Sequence, residues 1–210
     1  IEDMDYKNLL IRISVSILIL FIYYIFLNLN YNYLIILGLI IYIFILYEII
    51  RNFKKKLYFL IFYLLLNFLL FYIYIKFYFN LQEFNFLILI IILFDTTSYL
   101  IGTKYGKNKL FVNLSPNKTL EGLIGGIVTT NFISFLYLLF FYKDITLFKL
   151  FFINFFIFIS FFGDLIQSYV KRKNKIKDSS NYLPGHGGFF DRFDSFIFCI
   201  IFLSFYNIIT

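Results

Sequence analysis

The stretch Leu57–Phe77, LYFLIFYLLLNFLLFYIYIKF, decides the fold class of this chain. Its 21 residues are almost all apolar, and Asn67 and Lys76 are the strongly polar exceptions. A helix needs about 20 apolar residues to cross roughly 30 Å of hydrocarbon. The stretch is therefore predicted to be a transmembrane helix.

Apolar runs of similar character recur along the 210 residues, of which 61% are hydrophobic and 15% charged. A soluble domain is nearer about a quarter charged, and a membrane barrel would show alternating segments of about ten residues. We predict an all-α, polytopic transmembrane bundle of seven spans, forming one domain over 1–210 with N-terminal spans in 1–94 and a motif-bearing half in 95–210. The other six predicted spans are Ile11–Leu29, Tyr33–Ile50, Phe86–Ile101, Leu123–Tyr142, Leu150–Val170 and Ser195–Ile209.

The basic residues predict the orientation of these spans. Of the 19 Lys and Arg residues, 16 lie at the start of the chain or in the loops after even-numbered spans. Loops rich in Lys and Arg are cytoplasmic, so the N-terminus is predicted inside and the C-terminus outside. This bias and attraction to anionic lipid headgroups account for the net charge of +7, and nothing beyond charge supports nucleic-acid binding.

Three acidic residues interrupt the apolar runs. Asp95 lies within the fourth predicted span and Asp164 near the end of the sixth. An ionisable residue in a span faces the protein interior or a water-filled cavity by default. Each aspartate alone is also compatible with a structural polar contact, but together they indicate one site at the cytoplasmic face. Glu48, close to the end of the second span, is expected simply to reach the membrane interface.

The densest polar stretch runs from Asp164 to Asp194. If the sixth helix continues to Arg172, Asp164, Ser168 and Lys171 share one face. Lys177 and Asp178 follow, and then a non-helical segment that suits a phosphate-binding nest. Asp191 and Asp194 share a face of the last helix. The nest comprises Pro184, Gly185, His186, Gly187 and Gly188, and Arg192 between the two aspartates offers a forked donor for phosphate oxygens.

This residue set suits a nucleotide. Aspartate oxygens hold a hard divalent cation, most plausibly Mg²⁺, which bridges phosphate oxygens. Lysine and arginine neutralise the remaining charge and stabilise a leaving pyrophosphate. The alternative is a solvated, topology-setting loop with incidental acids. No Walker loop or zinc-ligand cluster occurs, whereas a Ser–His–Asp hydrolase stays open because His186 is present.

A second polar loop precedes the fifth span. In it, Ser115–Pro116 is interpreted as a helix-start or turn signal, and Lys118 and Glu121 follow. The pair Gly125–Gly126 opens the span and is expected to permit close helix packing.

The run Ser168–Asp194, SYVKRKNKIKDSSNYLPGHGGFFDRFD, resembles the motif of the phosphatidate cytidylyltransferase (CDP-diacylglycerol synthase) family at every defined position. The run Ser115–Gly126, SPNKTLEGLIGG, is similar to a second family segment, with departures at Asn117 and Leu120. Asp95 with the glycines after it is similar to the preceding segment. The resemblance covers the chain from Asp95 to its end.

The resemblance implies transfer of the cytidylyl group of CTP to phosphatidic acid, yielding CDP-diacylglycerol and pyrophosphate. It implies Mg²⁺, accompanied by K⁺, at Asp164 and Asp191, an integral-membrane enzyme of a bacterial inner or organellar membrane, and a homodimer. Its implied catalytic residues are Asp164, Asp191, Lys171, Arg172, Lys177, Asp178, His186, Arg192 and Asp194. Its implied substrate-binding residues are Ser168, Ser115, Lys118, Glu121, Gly187, Gly188 and Asp95.

Three alternatives remain beside this interpretation. The first is a related nucleotidyltransferase or kinase acting on a polyprenyl or archaeal-type lipid. The second is a transporter or channel with an ion path through its aspartates, which would require acids spread across the bilayer depth. The third is a catalytically inactive paralogue, which the presence of the motif acids and bases disfavours.

Overall fold

The structure is a computed structural model that describes the backbone of residues 6–142, 146–180, 182 and 187–209 and the side chains of 18–141, 146–180, 182 and 187–208. His186, Pro184 and Gly185 lie outside the described residues. In the described part, seven helices confirm the all-α, polytopic fold. They are α1 (Tyr6–Leu29), α2 (Tyr33–Asn52), α3 (Leu57–Ile73), α4 (Leu81–Tyr105), α5 (Leu120–Tyr137), α6 (Leu147–Lys173) and α7 (Phe190–Ile209).

Five helical stretches among the described residues are long and apolar enough to cross a membrane. They correspond to predicted spans two to six, and π-helical turns at Tyr74–Tyr78 and Leu138–Tyr142 extend the third and fifth. A shorter apolar helix, Leu18–Leu29, lies in the first predicted span. The protein is thus an integral membrane protein, while the orientation of its termini stays a prediction.

The chain divides into two compact units. Unit 1 comprises Ile1–Phe79 and Val170–Thr210, and unit 2 comprises Asn80–Tyr169. The assignment of 1–210 to one domain stays a prediction.

In unit 1, α3 packs against α2 and α7 around a buried apolar core. Ile45, Ile49 and Leu64 belong to this core. Asn67 is buried in α3, where it accepts a hydrogen bond from the Tyr42 hydroxyl and donates one to the Ile197 carbonyl at 2.6 Å. A buried amide is costly unless it is hydrogen-bonded, and these contacts link α3 to α2 and α7.

In unit 2, α4 and α5 pack closely through small residues. A Cβ atom on Gly126 would lie 2.8 Å from the Ser98 Cβ, and one on Gly122 would lie 2.7 Å from the Ser98 carbonyl oxygen. Small residues allow this approach of transmembrane helices. Close packing was predicted at Gly125–Gly126, where a Cβ on Gly125 would also crowd the Ile101 side chain.

A hairpin between α4 and α5 was not predicted. Strands β1 (Lys109–Phe111) and β2 (Ser115–Thr119) pair antiparallel, with Lys109 opposite Thr119. Ser115–Pro116 was interpreted as a helix-start or turn signal; the helix start is wrong, because these residues open β2, and the turn lies directly before them at 112–114. The helix α5 begins at Leu120, because the Thr119 hydroxyl caps it by accepting the Gly122 N–H at 3.1 Å.

Candidate functional site

Side chains from α2, from the end of α6, from the loop after α6 and from the first turn of α7 form a polar cluster in unit 1. This Asp191 cluster consists of Glu48, Lys171, Ser179, Gly188 and Asp191. Lys171 Nζ lies 2.7 Å from Asp191 Oδ1, and the two side chains are only 12% and 9% exposed. The pair is therefore an ion pair in a largely buried position.

The other carboxylate oxygen of Asp191 organises the loop. Oδ2 accepts the Ser179 N–H at 2.7 Å and the Gly188 N–H at 3.1 Å, and the Ser179 hydroxyl lies 2.9 Å away. Gly187 has φ +78°, a left-handed conformation that favours glycine, and a Cβ there would lie 2.9 Å from Asp191 Oδ2. The predicted nest thus directs its Gly188 amide to Asp191.

Glu48 corrects the sequence interpretation. Its carboxylate does not face solvent, because the residue is 0% exposed and its carboxylate accepts hydrogen bonds from the loop and from α7. Sequence reasoning missed its role. The available signal was a carboxylate inside an apolar span, which requires buried partners.

A cleft of about 650 Å³ lies beside this loop. Arg51, at the end of α2, donates to the Tyr182 hydroxyl at 2.6 Å. Lys177 and Asp178, both predicted site residues, line the cleft together with Arg51. Two basic side chains and one acidic side chain therefore border one cleft. Arg172 instead donates to the Ile176 carbonyl at 3.2 Å, at the end of α6.

The second polar group is the Asp164 cluster of Lys118, Asp164 and Ser168, within unit 2. Lys118 Nζ lies 2.8 Å from Asp164 Oδ2 and 4.4 Å from the centroid of the Phe161 ring. The Ser168 hydroxyl donates to Asp164 Oδ1 at 3.2 Å. Asp164 is 35% exposed, so its carboxylate is open to solvent, unlike that of Asp191. The helix α6 runs unbroken through Lys173, which confirms the predicted continuation.

The remaining predicted site residues have separate surroundings. Glu121 accepts the N–H groups of Lys107 and Asn108 at 3.0 and 3.2 Å, and so anchors the chain that leaves α4. Asp95 accepts the Ser160 hydroxyl at 3.4 Å. Asp194 accepts the Ser195 N–H at 2.8 Å, Arg192 is exposed in the first turn of α7, and Ser115 opens β2.

The donor chemistry of both clusters fits Mg²⁺. Carboxylate oxygens are the ligands that this cation prefers, usually together with waters and substrate phosphates. Among the described residues, no three His, Cys, Asp or Glu side chains converge as a metal cluster. Asp164 and Asp191 each have a lysine as their counter-charge, and their assignment as metal ligands stays a prediction.

Known proteins match this part of the chain. A family model described as "Cytidylyltransferase family" matches residues 56–209. The phosphatidate cytidylyltransferase of Bacillus subtilis is 45% identical over 114 residues, which cover 53% of this chain and 42% of that protein. The protein of the same name from Staphylococcus saprophyticus is 42% identical over 122 residues, covering 57% of this chain and 46% of that protein.

The matched segment spans less than half the length of these curated relatives. The family match extends over most of the chain and includes every residue of both polar clusters except Glu48. The predicted resemblance is confirmed: the chain belongs to the cytidylyltransferase family.

Proposed function

We propose that the chain is a phosphatidate cytidylyltransferase. The observations that support this most directly are its identity of 42–45% with proteins of that name over 114–122 residues and the family match over residues 56–209, which include the motif. A phosphate oxygen of phosphatidic acid attacks the α-phosphorus of CTP and forms a new P–O bond. The bond from the α-phosphorus to the oxygen bridging to the β-phosphorus breaks, and pyrophosphate leaves.

The side chains of the two clusters suit this chemistry. Phosphoryl-type transfer depends mainly on positioning and on compensation of developing charge. Lys171 and Lys118 each hold an ammonium group beside an aspartate carboxylate. A bound anionic substrate would give each ammonium a second negatively charged partner. Mg²⁺ held by Asp164 and Asp191 would neutralise phosphate charge when bound. Lys177, Arg172 and Arg192 would contact phosphates, with Asp178, His186 and Asp194 ordering the site.

The membrane setting supports a lipid substrate. Phosphatidic acid keeps its acyl chains in the hydrocarbon and its headgroup at the surface, while CTP is a cytosolic solute. We place the active site on the cytoplasmic face, in a bacterial inner or organellar membrane, with a homodimer as the assembly. The basic loops would raise the local concentration of both anionic substrates.

Product formation tests the proposal. The purified chain is reconstituted in phosphatidylcholine vesicles and supplied with CTP that is labelled at its α-phosphate. We expect labelled CDP-diacylglycerol and equimolar pyrophosphate only when phosphatidic acid and Mg²⁺ are both present. Parallel reactions replace phosphatidic acid with a polyprenyl phosphate, or CTP with ATP. Product with the polyprenyl phosphate alone would overturn the lipid assignment, and ATP-dependent phosphorylation would indicate a kinase.

Lys118→Ala is expected to lower kcat/KM by about tenfold or more, the equivalent of one charge-assisted hydrogen bond. The lysine faces Asp164 and is 19% exposed, so its loss removes positive charge where an anionic substrate would bind. Lys109→Ala is the matched control, because Lys109 is an exposed lysine of the same hairpin. Equal kinetics for the two variants and the parent would contradict a substrate-binding role for Lys118.

A further inference from the structure

The carboxylate of Glu48 has a complete set of hydrogen-bond donors. Oε1 accepts the Ser180 hydroxyl at 2.6 Å and the Phe189 N–H at 2.8 Å. Oε2 accepts the Phe190 N–H at 3.0 Å and lies 3.1 Å from the Ser179 hydroxyl. Glu48 sits one turn before the end of α2 and is 0% exposed. These partners offset the cost of burying its charge.

Two of these donors belong to the start of α7. The first N–H groups of a helix have no partner within the helix and carry its positive dipole end. Glu48 supplies the missing acceptor for Phe189 and Phe190 from another helix. Because Asp191 is the next residue, this cap determines where the backbone of Asp191 begins its helical turn.

Ser179 connects Glu48 directly to the Asp191 side chain. Its hydroxyl lies 3.1 Å from Glu48 Oε2 and 2.9 Å from Asp191 Oδ2, although it has one proton to donate. Its N–H donates to the same Asp191 oxygen. The two carboxylates therefore share one hydroxyl, and a movement of either carboxylate alters the hydrogen bonding of the other.

Gly188 shows how tightly this contact is packed. A Cβ at Gly188 would lie 2.6 and 2.7 Å from the two Glu48 carboxylate oxygens and closer still to the Ser179 hydroxyl. Any side chain there would have to displace Glu48 or Ser179. Because Gly188 has no side chain, the Glu48 carboxylate and the Ser179 hydroxyl can pack directly against its backbone.

We propose that Glu48 is a positioning residue for Asp191: its carboxylate holds Ser179 and the first turn of α7 so that the Asp191 carboxylate has one orientation. Its kinetic consequence rests on the proposed cytidylyltransferase function. Glu48 lies outside residues 56–209, which the family model matches.

Glu48→Gln is the sharpest change, because it keeps the shape of the side chain. A glutamine has one carbonyl oxygen, and its NH₂ group is only a donor. Whichever way the amide is turned, the NH₂ faces the N–H of Phe189 or Phe190, which cannot rotate away. That backbone N–H then has no acceptor, and the two donor groups repel each other at the first turn of α7.

The kinetic test compares Glu48→Gln and Glu48→Asp with the parent chain. We expect Glu48→Gln to lower kcat by about 10- to 100-fold, the usual cost of losing a residue that orients a functional ligand, while both KM values change by less than about threefold. Glu48→Asp retains the carboxylate and is expected to keep a higher kcat than Glu48→Gln. Glu83→Gln is the matched control, since it removes a half-buried carboxylate from the first turn of α4.

Hydrogen–deuterium exchange supplies a measurement that does not depend on activity. In Glu48→Gln, the amides of Phe189 and Phe190 are expected to exchange faster than in the parent, and peptides from α4 are expected to be unchanged. If Glu48→Gln does not fold, Ser179→Ala replaces it. Removing the shared hydroxyl is then expected to produce the same selective loss of kcat.

The outcomes separate the two proposals. A parent chain that makes no CDP-lipid overturns the proposed function, and the exchange measurement still decides whether Glu48 holds the first turn of α7. Unchanged exchange in Glu48→Gln overturns the inference. So does a kcat for Glu48→Gln equal to or above that of Glu48→Asp, or a normal kcat for Ser179→Ala.

Discussion

Asp191→Asn is expected to reduce CDP-diacylglycerol formation by about 10²- to 10³-fold, the scale of losing one group that stabilises developing phosphate charge. It is also expected to destabilise unit 1. The amide leaves the Lys171 ammonium, which is 12% exposed, without its counter-charge. Breaking a buried ion pair by removing one partner costs about 3 kcal/mol or more. Turnover and thermal unfolding of the purified variant measure the two effects.

The destabilisation changes the interpretation of this variant. The sequence predicts only a catalytic and metal-binding role for Asp191, whereas its contacts with Ser179 and Gly188 give the residue a structural role as well. Turnover must therefore be measured well below the unfolding temperature. Near-normal turnover in the folded variant would contradict the assignment of Asp191 to catalysis, and unchanged stability would contradict the importance of its buried pair.

Asp164→Asn is expected to lower turnover on the same scale, about 10²- to 10³-fold, but with little effect on stability. Its ion pair with Lys118 is partly exposed, at 35% for the aspartate and 19% for the lysine, and so is more open than the Lys171–Asp191 pair. Exposed ion pairs contribute only about 0–1 kcal/mol. The thermal unfolding temperature should therefore lie close to that of the parent chain while product formation is lost.

The contrast between the two variants is the informative measurement. Glu83→Gln, which removes one negative charge from the first turn of α4, controls for charge alone and is expected to behave like the parent. Normal turnover in Asp164→Asn would remove Asp164 from the site. A large loss of stability would instead assign the residue a structural role like that of Asp191.

The helices were predictable from the sequence because their signal is local. A run such as Leu57–Phe77 has one economical conformation in a bilayer, and α3 with its π-helical turn covers the same residues. The motif residues were predictable for a different reason: Lys171, Gly188 and Asp191 lie within about 20 positions of one another. Their grouping needed no knowledge of how distant helices pack.

Other features depend on tertiary structure and were missed. Glu48 meets partners 131 to 142 residues away in sequence, and no pattern near Glu48 indicates them. The β1–β2 hairpin is short, and β2 contacts both α4 and α5. Asp95 accepts a hydrogen bond from the Ser160 hydroxyl, one turn before Asp164 on α6, and its place in the site stays a prediction.

The distant partners of Glu48 also determine when its hydrogen bonds can form during synthesis of the chain. Its helix leaves the ribosome 131 to 142 residues before Ser179 and Phe190, which at 5–20 residues per second is about 7 to 28 s. The hydrogen bond from Asn67 to the Ile197 carbonyl likewise joins residues that are 130 positions apart. Unit 1 therefore completes its buried hydrogen bonds only when the last helix arrives. A chain terminated before α7 keeps the Glu48 carboxylate in an apolar helix without the N–H donors of Phe189 and Phe190. The full chain supplies both donors.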